Sequence, residues 1–135
     1  MRGRWTAAGK PVILVAEDEP LIRRWLETVL TKAGYVVLSA CDGQEALTLS
    51  MGHPSDIPLL VSNIEMPRIN GYDLSTRIRE TRPGIKVLLI SGHTSARLRE
   101  LASHPDFLQK PFPMEVLLMK LEDMLSTDGP DRAEV

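Results

Sequence analysis

The sequence lacks almost every marker of a thiol-metal, secreted or membrane-embedded protein. Cys41 is its only cysteine, so no intrachain disulfide and no cysteine-based zinc site can form. It is expected to pack near a strand end. His53, His93 and His104 show none of the helical spacings that place two imidazoles on one metal, and surface or supporting roles are expected for them. No apolar stretch approaches the roughly 18 residues needed to span a bilayer, and Met1 to Lys10 carries no apolar signal core. The expectation is a cytoplasmic protein with no membrane association. A strong excess of either charge is missing too: a formal net charge of −2 argues against nucleic acid as the main partner and leaves proteins as the expected ones. Internal repeats and low-complexity segments are absent, and no DNA-binding segment is expected in the residues beside the main domain.

What is present is an alternation of short apolar runs with helical patterns. Val12 to Ala16 is continuously apolar, as a strand buried on both faces requires, and it stops abruptly at Glu17. Pro20 then sits where a first helical turn tolerates proline, and Ile22, Leu26, Val29, Leu30 and Ala33 recur at helical spacing up to Gly34. The alternation repeats with a strand from Tyr35 to Ala40, a helix capped by Asp42 and running to Ser50, and a strand from Leu59 to Ser62. Asn70 can cap a third helix reaching Arg82. After the Pro83-Gly84 break come a strand at Val87 to Ile90, a short helix at Ser95 to Leu101, a strand at Phe107 to Gln109, and a last helix from Pro113 to about Leu125.

Five strands alternating with five helices predict a doubly wound α/β fold with a parallel sheet, because parallel neighbours need helical crossovers. At 135 residues one domain is expected, spanning 10–126, with flexible arms at 1–9 and 127–135. In such sheets ligands bind at the carboxyl ends of the strands. Glu17, Asp18 and Glu19 follow the first strand, Asn63 the third, Ser91 the fourth and Lys110 the fifth. Each alone is an ordinary surface residue; their joint placement at four strand ends is specific. Acidic oxygens suit Mg2+, while a hydroxyl and an ammonium suit the oxygens of a phosphoryl group. No glycine-rich loop follows the first strand, and Asp18 has no aspartate two residues on, which disfavours a flavin or nucleotide module and an aspartate-nucleophile phosphatase.

The segments Ile13 to Pro20, Asn63 to Pro67 with Asn70-Gly71, Leu89 to Gly92, and Lys110 to Phe112 together resemble the receiver domains of two-component response regulators, over roughly Pro11 to Leu125. The resemblance implies a flavodoxin-like sheet of order 2-1-3-4-5 and a cis Lys110-Pro111 bond. In that family an aspartate at the end of the third strand takes a phosphoryl group from a kinase's phosphohistidine; Asn63 stands there. Carried over, Glu17 and Asp18 are the acidic pair, with Asp18 the more direct metal ligand. Asn63 and the backbone carbonyl of Glu65 complete the Mg2+ set. Ser91 is the switch hydroxyl, Lys110 the phosphate-contacting cation and Phe107 the switch aromatic. The implied partners are a histidine kinase or phosphotransfer protein and a downstream effector. The wording around Ser91 and Lys110 resembles receivers attached to hybrid kinases.

Asparagine changes that chemistry. Its amide is neutral and its nitrogen lone pair is delocalised, so Asn63 is expected not to form an acyl phosphate. Mg2+ binding is expected to weaken to the millimolar range because one carboxylate is gone, and Lys110 is expected to lose an anionic partner. Either Asn63 is native, giving a receiver that signals without phosphate, or it replaces the aspartate of a genuine phosphoacceptor. On the last helix, Met114, Leu117, Leu118, Leu121, Met124 and Leu125 fall on one face and are expected to be buried. Val116 and Met119 point the other way and are expected to be exposed, as a face for self-association or an effector.

Overall fold

Apolar strands flanked by amphipathic helices can hide both faces of a sheet only if helices lie on each side, and this sets the architecture. The computed structural model describes residues 10–92 and 106–126. Within them the order is β1 (Val12–Ala16), α1 (Pro20–Lys32), β2 (Val36–Ala40), α2 (Gly43–Gly52), β3 (Leu59–Asn63), α3 (Gly71–Thr81), β4 (Lys86–Ser91), β5 (Phe107–Gln109) and α4 (Met114–Ser126). The five strands form one parallel sheet in the order β2-β1-β3-β4-β5. The helix expected at Ser95 to Leu101, His93 and His104, and the arms at 1–9 and 127–135 lie outside the described residues.

Alternation along the strands divides the core in two. Leu14, Leu60, Val87 and Leu89 face Ala46 of α2 with Leu74 and Ile78 of α3. Ile13, Val15, Leu59, Val61, Leu88 and Ile90 face Leu26, Val29 and Leu30 of α1 with Leu117, Leu121, Met124 and Leu125 of α4. Most of these side chains are fully buried, and each contributes about 1.5–3 kcal/mol of transfer free energy.

The helix ends follow local chemistry. Pro20 opens α1, and Gly34, at φ 104°, turns the chain out of it in the left-handed region that glycine tolerates. Asp42 caps α2 by accepting from the Glu45 N–H at 2.8 Å, and Asn70 caps α3 by accepting from the Asp73 N–H at 2.8 Å. At the opposite end of the sheet from the polar strand ends, the Arg82 guanidinium donates to Ser50 Oγ and to the carbonyls of Ser50, His53 and Ser55 at 2.9–3.0 Å.

Some local expectations are corrected. Tyr35 is not in a strand; its N–H donates to the Leu30 carbonyl at 3.1 Å, so it still belongs to the turn leaving α1. Cys41 follows β2 as expected but is exposed rather than packed. Met114, expected to be buried, is 44% exposed in the first turn of α4, where the buried face begins at Leu117. Leu118 is only half-buried.

Candidate functional site

The sheet gathers the polar strand ends by its own hydrogen bonding. Glu17 N–H donates to the Ala40 carbonyl at 3.1 Å, Ile64 N–H to the Ile90 carbonyl at 2.8 Å, and Lys110 N–H to the Ser91 carbonyl at 2.8 Å. The ladder thus continues one residue past β1, β3 and β5 and fixes where each side chain starts. From α3 the chain closes tightly beneath Asn63: a Cβ on Gly71 would lie 2.5 Å from the Asn63 carbonyl oxygen, so only glycine permits that approach. The connecting loop carries Arg68 at φ 68°, a left-handed conformation uncommon for a long side chain. Its guanidinium pairs with Asp42 at 2.9 Å.

Asn63 sits at the centre. Its Nδ2 donates to Asp18 Oδ1 at 3.0 Å and to the Glu65 carbonyl at 2.8 Å. Both neighbours are acceptors, which assigns the nitrogen to that side of the amide. Asn63 Oδ1 is then buried with no hydrogen-bond partner among the described residues. Two further pairs flank it. Lys110 Nζ donates to Glu17 Oε1 at 3.0 Å, and Ser91 Oγ donates to Glu65 Oε2 at 2.6 Å.

Glu17 is fully buried. Burial pushes its carboxyl above the ordinary value; the Glu19 N–H at 3.0 Å and the Lys110 ammonium pull it back, and the Asp18 charge adds to the rise. From α1, Arg23 donates to the Glu17 backbone carbonyl at 2.9 Å, a contact that nothing in the sequence signals because it depends on how α1 leans over the strand end.

The structure therefore brings Asp18, Asn63 and Glu65 together, and joins Glu17 to Lys110 and Ser91 to Glu65. Lys110, expected to lose its most probable anionic partner because position 63 carries no carboxylate, pairs with Glu17. Glu65, expected to act only through its backbone carbonyl, also uses its side chain. Phe107 is half-buried against the α2/α3 side of the core, and the Lys110-Pro111 bond is cis.

Two of the oxygens expected to hold Mg2+ are bonded to the Asn63 amide in this arrangement. The Asp18 carboxylate and the Glu65 carbonyl converge on an NH2 group, whose hydrogens face the position between them. Glu17 is committed to Lys110 and the Glu19 N–H. Among the described residues no group of three or more His, Cys, Asp and Glu could hold a metal ion.

A parallel sheet in this order, with acidic residues after β1 and single polar residues ending β3, β4 and β5, defines a signal-receiver architecture. The chain belongs to the response regulator receiver domain family, whose model matches residues 13–122. It is 34% identical over 116 residues to the response regulator receiver protein CpdR of Brucella abortus, covering 84% of this chain and 95% of that protein. It is 37% identical over 125 residues, 90% of this chain, to the probable transcriptional regulator ycf27 of Cyanophora paradoxa. It is 32% identical over 121 residues, 87% of this chain, to the sensor kinase CckA of Brucella abortus. The chain spans 51% of the second protein and 13% of the third.

Among solved structures, the receiver domain of the hybrid histidine kinase CckA matches with a TM-score of 0.71 at 31% identity, covering 84% of this chain and 98% of that one. The signal receiver domain of an HD domain-containing protein from Pseudomonas fluorescens matches with a TM-score of 0.79 at 26% identity, covering 87% and 95%. The chain is thus a receiver domain of two-component signalling, a class that interacts with histidine kinases and effectors. Among the described residues no helix is long and apolar enough to cross a membrane.

Proposed function

We propose that this receiver works as a protein-interaction module in the cytoplasm and is not phosphorylated at position 63. The observation that carries the reading is the double hydrogen bond from Asn63 Nδ2 to Asp18 and to the Glu65 carbonyl. The amide occupies the space between the two oxygen donors and is itself no nucleophile. Mg2+ enters only when the amide turns to present its oxygen, at the cost of both hydrogen bonds, so its affinity is millimolar or weaker.

Mass spectrometry after incubation with acetyl phosphate and Mg2+ tests this. The native chain is expected to gain no phosphoryl mass at position 63, and Asn63→Asp is expected to gain one. Phosphoryl mass located on Asn63 of the native chain would sink the proposal. Asn63→Asp also exchanges two donated hydrogen bonds for a charge beside Asp18, so metal-free stability should fall by about 1–2 kcal/mol in urea unfolding.

The partner face belongs to α4. Val116 is 41% and Met119 70% exposed, whereas Leu117, Leu121, Met124 and Leu125 are buried. The pair is adjacent on the helix surface, near the Lys120–Asp106 ion pair at 3.3 Å. Replacing both with glutamate is expected to abolish self-association or effector binding in sedimentation and pull-down measurements. Melting temperature should stay nearly constant, since neither side chain supports the core; a large drop would place them in it.

A further inference from the structure

The Glu65 carboxylate does something that neither the strand-end pattern nor the metal expectation assigns to it. Its Oε2 accepts from Ser91 Oγ at 2.6 Å, while the backbone carbonyl of the same residue accepts from Asn63 Nδ2 at 2.8 Å. An O–H donor this close to a carboxylate makes a charge-assisted bond, stronger than a neutral one. Ser91 is fully buried at the end of β4. Its carbonyl receives the Lys110 N–H at 2.8 Å and it registers with Gln109 of β5. Any force on the Ser91 hydroxyl therefore acts on the β4–β5 edge of the sheet. The second donor in the pocket, the Lys110 ammonium, has a carboxylate of its own in Glu17 at 3.0 Å.

We infer that Glu65 is a positioning residue that serves as an internal anion for Ser91, holding its hydroxyl and with it the β4–β5 edge in one state that no external oxyanion sets. A hydroxyl and an ammonium are donors suited to an oxyanion; here each bonds a carboxylate of the same chain. The inference goes beyond the reading of Asn63 and does not depend on it, because it concerns who holds Ser91 and not whether position 63 reacts.

A double-mutant cycle with Glu65→Ala and Ser91→Ala tests it on the full chain. Each single variant is expected to raise the unfolding equilibrium constant about tenfold. The double variant should lose about as much as one single, not the hundredfold of independent sites. In backbone amide spectra both singles should shift Ser91, Gln109 and Lys110 alike. Glu65→Gln, which keeps an acceptor of the same length without the charge and serves should the alanine variant fail to fold, is expected to shift the same amides less. Multiplicative losses in the cycle, or Glu65 shifts confined to residues 64–70, overturn the inference. So does sulfate that moves the Ser91 and Lys110 amides of the native protein, since it would show these donors open to an external anion. None of these readouts involves phosphoryl transfer, so their failure is distinct from failure of the proposed function.

Discussion

Lys110→Met is expected to lower stability by about 3 kcal/mol near neutral pH, the cost of leaving a buried carboxylate without its counter-charge. Glu17 has no exposed surface and Lys110 is its ion-pair partner at 3.0 Å. Methionine keeps much of the stem volume, so the loss is chiefly electrostatic. The pH dependence gives it a signature. Burial already raises the Glu17 carboxyl in the folded protein, against the lowering influence of Lys110. Removing Lys110 raises it further. A group raised on folding contributes its stability below its unfolded value and loses it as pH climbs through its folded value. The variant should accordingly lose most at neutral pH and recover as falling pH protonates Glu17. Urea unfolding of both proteins across this range measures it, and a deficit that stays constant with pH would assign the loss to packing instead.

Arg82→Ala is expected to cost about 2–3 kcal/mol, because one guanidinium joins two loops through four acceptors and each carbonyl it leaves loses a charge-assisted donor. Ser50, His53 and Ser55 belong to the end of α2 and the loop before β3, while Arg82 ends α3. The substitution thus unpins the amino-terminal edge of the sheet and leaves the Asn63 pocket at the other edge untouched. Arg82→Lys should recover less than half, since one ammonium cannot reproduce a planar fork over four acceptors. Amide spectra should move around residues 50–58 and 82–85 and remain still at Asn63 and Ser91. Movement at Asn63 would show that the two edges are coupled through the sheet.

The fold was largely legible because its signals are local. Strands β1, β3 and β4 read as apolar runs, and Asp42 and Asn70 cap helices through side chains three residues from their donors. Boundaries slipped where local chemistry is ambiguous: Tyr35 is as apolar as the strand it precedes, yet its N–H still closes the α1 turn. Met114 matches the helical stripe but lies in the exposed first turn of α4. On α4 the direction of Val116 and Met119 followed from periodicity alone and agrees with their exposure.

The sequence by itself determined which residues stand at the strand ends and that position 63 carries an amide, since both follow from where apolar runs stop. Which donor meets which acceptor was decided only by tertiary structure. Lys110 and Glu17 are 93 residues apart, Asn63 and Asp18 45, and Ser91 and Glu65 26. Neighbouring acids on one loop diverge, so Glu17 turns to Lys110 while Asp18 turns to Asn63. That choice depends on side-chain directions past the end of each strand, which carry no periodicity for a sequence to display. In the fold these strand-end groups meet as internal pairs, because a polar group taken out of water is costly unless it is hydrogen-bonded.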